Sequence, residues 1–210
     1  MPPLSCNTEG LRGHSHLQMF LPEPHLDDVQ RRWRAWLLHA LVSAARHYNQ
    51  ARDTILMQLD ARTLHPNSSV FYILDFSEYM ENCISSVYRA CMCAKSLVGA
   101  QEGFTQFYKA CEGYIDQLRK LRNQHEHMYT QIVSGEVGSG PILLSLDDGG
   151  ATMRFRDVKM PLNSLHTLIE GLYQALVTMF PNWDSTSAPE QKGVLQLSMR
   201  VEIGEPIVSR

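Results

Sequence analysis

From Leu26 to Ile132 the apolar residues recur at intervals of three and four, the spacing that gathers side chains on one face of an α-helix. The first stripe runs from Leu26 and Val29 through Trp33, Leu37, Leu41, Ala44 and Tyr48 to Leu59, with Asp27 and Asp28 near its start to complement the helix dipole. It should stop before His65-Pro66, because proline disfavours helical backbone in the residue ahead of it. Asn67 or Ser68 can cap a second helix that carries Val70, Ile73, Met80, Ile84, Val87, Cys91 and Leu97 and closes at Gly99. A third follows Gly103 and keeps one stripe from Phe104 through Tyr108, Cys111, Leu118 and Leu121 to Ile132. Helices with one apolar face each must bury those faces against one another.

After Gly135, Gly138 and Gly140 the period shortens to two. Ile142–Leu146 and Thr152–Arg156 flank the turn residues Asp147-Asp148-Gly149-Gly150, which predicts a β-hairpin over about 141–158. Pro161 introduces a fourth helix, Leu162–Phe180, which Pro181 stops. Alternation of Leu195, Leu197, Met199, Val201 and Ile203 with polar residues predicts a half-buried C-terminal strand over about 194–203. Residues 1–24 mix Pro, Gly, Ser and His with little periodicity and read as a flexible N-terminal arm. The expected fold is mainly α: a four- to five-helix up-down bundle formed by residues 25–210 as one domain, with an inserted β-hairpin and a C-terminal strand.

At 210 residues, 44% of them hydrophobic and 20% charged, the chain can build one sizeable core. No apolar run approaches the roughly 20 residues needed to span a bilayer, and the N-terminus lacks the pattern of a secretory leader. No membrane partner and a cytoplasmic location are therefore expected. Cys83, Cys91 and Cys93 fall within one helical pattern, which suits reduced, buried thiols. Cys91-x-Cys93 is too close for a zinc pair and has no second pair to join, so neither metal nor cofactor is expected from the cysteines. The net charge of −3 argues against a general nucleic-acid binder, although the clusters Arg31, Arg32, Arg34 and Arg119, Lys120, Arg122 permit an RNA partner.

One segment of the third helix carries candidate chemistry: Arg122-Asn123-Gln124-His125-Glu126-His127. An arginine followed directly by a polar Asn123, with His127 five residues after Arg122, resembles the signature of the HEPN superfamily, whose members include toxins of toxin–antitoxin pairs and phage-defence proteins. The resemblance implies a metal-independent endoribonuclease that works as a homodimer, two copies lining a composite cleft with their arginines and histidines. In it the 2′-hydroxyl of RNA attacks the adjacent phosphate and leaves a 2′,3′-cyclic phosphate. His127 would move the proton at neutral pH, Arg122 would stabilise charge on the phosphoryl oxygens, and Asn123 would orient the histidine or the phosphate. An antitoxin or other protein would be a further partner.

Helical geometry qualifies that expectation, because five residues at about 100° each leave Arg122 and His127 about 140° apart around the axis. His125 falls on the apolar stripe, Arg122 at its edge, and His127 away from it. Arg122 and Glu126, four apart, can simply form an ion pair, and His125 can be a core histidine satisfied by one hydrogen bond. Two other functions stay open: a non-catalytic helical dimer that binds a protein or small ligand, and a haem- or metal-dependent bundle enzyme with His39, His47 or His125 as the ligand. The motifs of common serine hydrolases, kinases and metalloproteases are absent.

Overall fold

The computed structural model describes residues 1–18, 26–64, 73–136, 143–180 and 182–184. The described residues form six helices: α1 (Thr8–Gln18), α2 (Asp28–Leu64), α3 (Ile73–Lys95), α4 (Glu102–Glu126), α5 (Met128–Val133) and α6 (Leu162–Val177). Between α5 and α6 lie the strands β1 (Ser145–Asp147), β2 (Thr152–Phe155) and β3 (Val158–Pro161), antiparallel in the order β1-β2-β3. The expected mainly helical bundle with a small β element is the observed architecture.

Helix α2 begins with reciprocal capping: Asp27 Oδ1 accepts the Gln30 amide at 2.7 Å, and the Asp27 amide donates to Gln30 Oε1 at 3.2 Å. Its small residues Ala40, Ala44 and Ala51 are buried, as are Cys83, Ala90 and Ala94 of α3, which lets these two helices make the most extensive pairing in the molecule. Helix α6 is buried over most of its circumference, with Leu165, Leu168, Ile169, Leu172 and Leu176 fully enclosed, and it packs on α2, α3, α4 and β3. Each such leucine contributes about 1.5–3 kcal/mol of burial, so α6 is the hub of the core. Gly171 lets α4 approach, since a Cβ there would stand 3.0 Å from the Phe107 ring.

The sheet presents Met153, Phe155 and Met160 to the core and Arg154 and Lys159 to the outside, the alternation a strand imposes. Asp147 draws Lys159 (2.9 Å) and Arg154 (3.5 Å) together across all three strands.

Three expectations change. The flexible arm expected there contains α1, capped by Asn7 Oδ1 on the Gly10 amide (2.9 Å) and anchored on α2 by Leu11, which is wholly buried; Leu11 and Leu17, six residues apart, do not make a helical stripe that could be read from the sequence. The third helix is not continuous to Ile132: it breaks at His127, which ends α4 and starts α5. The hairpin is a three-stranded meander, because Val158–Pro161 adds a strand where only a lead into the last helix was expected. The end of α2 at Leu64 and the start of α6 after Pro161 are as anticipated. The caps Asn67 and Ser68 and the C-terminal strand lie outside the described residues. All five cysteines are free, and all but Cys6 are buried. No helix among the described residues is long and apolar enough to cross a membrane.

Candidate functional site

Leu118 and Leu121, both buried, fix the face that the end of α4 turns toward α3. One turn beyond Leu121, His125 lies over that seam, half-buried, with Nε2 3.0 Å from Glu81 Oε2 on α3. The other Glu81 oxygen accepts the Ser77 hydroxyl at 2.9 Å, and Ser77 Oγ accepts the buried Leu144 amide at 3.1 Å. The imidazole meets the Phe155 ring edge-on at 5.8 Å. A single polar chain thus ties α4, α3 and the entrance to β1, and Glu81, Ile84, Ser85, Leu121, Arg122, His125, Leu144 and Phe155 enclose a small recess.

The electrostatics follow from that chain. The hydrogen bond and negative charge of Glu81 favour the imidazolium and raise the His125 pKa above its ordinary value, against an opposing effect of burial. Burial acts to raise Glu81, but its bonds to His125 and Ser77 prevail and hold it below the usual carboxylate range.

Arg122 opens into the same recess. Its guanidinium pairs with Glu126, lies 5.1 Å from the Tyr88 ring centroid, and donates to Asn123 Oδ1 at 3.2 Å. Asn123 and the exposed His127 line a different cleft, with Lys120, Gln124 and Gln131 on one wall and Asp157 and Val158 on the other. Arg156, at φ 55°, reaches across to Gln131 from the turn between β2 and β3. Arg122 and His127 therefore do not share a cleft within one chain, whereas Arg122 and His125 do. Glu126 is exposed and serves Arg122.

The two basic clusters are largely committed to the fold. Arg31 pairs with Asp28, buried Arg34 donates to the Met179 carbonyl at 3.2 Å, and Arg119 pairs with Asp116 at 3.1 Å. Of the other histidines considered as ligands, His39 stacks on exposed Trp36 and His47 lies 3.4 Å from Ser43. No group of three or more His, Cys, Asp or Glu side chains is gathered for a metal ion among the described residues.

Glu81, Ser77 and Phe155 escaped the reading of the sequence. A signal existed, since Ser77, Glu81, Ile84 and Tyr88 recur at helical spacing, which places a carboxylate and a hydroxyl on an apolar stripe. No family model matches the chain, and no curated protein or solved structure is significantly similar to it.

Proposed function

We propose that the chain is a HEPN-type, metal-independent endoribonuclease that acts as a homodimer, the 2′-hydroxyl of RNA attacking the adjacent phosphate and displacing the 5′-oxygen of the next nucleotide. The observation that carries this reading is that Asn123 and the exposed His127 line one polar cleft at the break between α4 and α5. The recess at His125 does not fit a haem: Ile84, Leu121, Leu144 and Phe155 are almost wholly buried, and the space they leave is too small for a macrocycle.

Asn123 and His127 open into one polar cleft beside Lys120, where a proton-transferring imidazole and a phosphate-attracting cation are both wanted. Because Arg122 faces the other recess, a homodimer would have to bring a second copy's Arg122 to that cleft. Tyr129, Ile132 and Val133 of α5 are exposed by 79%, 52% and 71%, an apolar surface available to such a copy or to the partner of a non-catalytic binding module. Cleavage of single-stranded RNA in EDTA, lost in both Arg122→Ala and His127→Ala, is the outcome this reading requires.

A further inference from the structure

Residues 1–6 run across α2 and α6 and are held almost entirely through their backbone. Tyr48 Oη donates to the Pro2 carbonyl at 3.0 Å, Arg52 Nε to the Met1 carbonyl at 3.3 Å, and His166 Nε2 lies 3.1 Å from the Pro3 carbonyl. The Glu170 carboxylate takes three donors at once: the Ser5 amide, the Ser5 hydroxyl at 2.9 Å and the Cys6 amide at 3.2 Å. Met1, Leu4 and Cys6 lean on the core. Immediately afterwards Asn7 caps α1, which wholly buried Leu11 anchors independently.

We propose that residues 1–6 form a releasable strap, latched by Glu170 over the seam of α2 and α6, and that its release exposes Cys6 as the chain's one accessible thiol. The physical case is the distribution of the contacts. No strand pairing secures the segment, half of its six contacts converge on one carboxylate, and α1 is anchored without it, so the strap can open while the bundle stays closed. Local opening of this kind costs less than unfolding because no helix and no buried leucine is lost. While the strap is docked, burial and the neighbouring Glu170 charge push the Cys6 thiol up to about 12, which keeps it protonated and inert. Undocking removes both causes and restores an ordinary, partly ionised thiol. The other four cysteines are buried and report on opening of the bundle instead. The inference is independent of the Asn123–His127 cleft and of any nuclease activity.

Site-resolved alkylation of the native, full chain by iodoacetamide tests it. Glu170→Ala should speed Cys6 labelling by at least about tenfold, the step toward an ordinary thiol pKa, while Cys83 and Cys91 stay protected as in the wild type. Tyr48→Phe, which removes one bond to the strap, should give a smaller acceleration. Equal Cys6 rates in wild type and Glu170→Ala would show that the carboxylate is no latch. Labelling of Cys83 and Cys91 rising in step with Cys6 would show that the segment opens only with the whole bundle, and would equally overturn the proposal.

Discussion

His125 Nε2 and Glu81 Oε2 stand 3.0 Å apart and join the last turn of α4 to the third turn of α3. Behind them Ser77 passes the connection to the Leu144 amide, so one partly exposed imidazole is coupled to the entrance of the sheet.

That pair sets a pH dependence for the stability of the chain. His125 is raised in the fold, so its contribution is complete below its ordinary value of 6.5 and is lost as pH rises through the raised value. Glu81 is lowered, so its contribution is present above its ordinary 4.5 and is lost as pH falls through the lowered value. Both therefore act between about pH 4.5 and 6.5. Solvent screens a pair this exposed to under about 1 kcal/mol, or about 1–3 °C in Tm for a chain of this size. Thermal scans of wild type and Glu81→Gln should differ most near pH 5.5 and converge at alkaline pH; a gap independent of pH would contradict the coupling.

Ser77→Ala should cost about 1–3 kcal/mol, because it leaves the buried Leu144 amide without an acceptor and removes a donor from Glu81. Urea denaturation should show a lower midpoint with an unchanged slope. A change within error would mean that the Leu144 amide finds another partner.

Two glycines should respond with opposite signs to the same change. At Gly171 an alanine Cβ would meet the Phe107 ring at 3.0 and 3.1 Å, and the strain of about 1–3 kcal/mol should outweigh the roughly 1 kcal/mol that alanine adds in a helix. At Gly113 on α4 nothing lies within 4 Å, so Gly113→Ala should stabilise by about 0.5–1 kcal/mol. Calorimetry of both variants checks the packing of α4 on α6 against a helix position where the new methyl meets nothing.

His127→Ala should leave stability within about 0.5 kcal/mol of wild type, since the side chain is exposed at the break between α4 and α5. Measured beside it, RNA cleavage in EDTA should be lost in His127→Ala while the fold stays intact; cleavage unchanged in that variant would rule out the Asn123–His127 cleft.

Periodicity located α2, α3, α4 and α6 because each long helix must repeat its apolar face many times before it is buried. Short elements lack that redundancy. Leu11 in α1, the break at His127 and the four residues of β3 are each too local for a repeat to announce them. The Arg122–His127 segment stood out as a local pattern, and helical phase already separated its two ends by about 140°. It could not disclose which neighbour each would meet.

What the amino-acid order determines by itself, then, is the class of fold and the phase of each side chain on its helix: His125 toward the bundle, Arg122 at the edge, His127 outward. Those follow from 3.6 residues per turn and need no partner. Only the tertiary packing decided that His125 meets Glu81 and Phe155, that Arg122 turns to Tyr88 and Glu126, and that Glu170 holds residues 1–6. With the exception of the local Arg122–Glu126 pair, these contacts join residues far apart in the chain. Their energies depend on distances of a few ångströms that exist only after α2, α3, α4, α6 and the sheet have closed on one another.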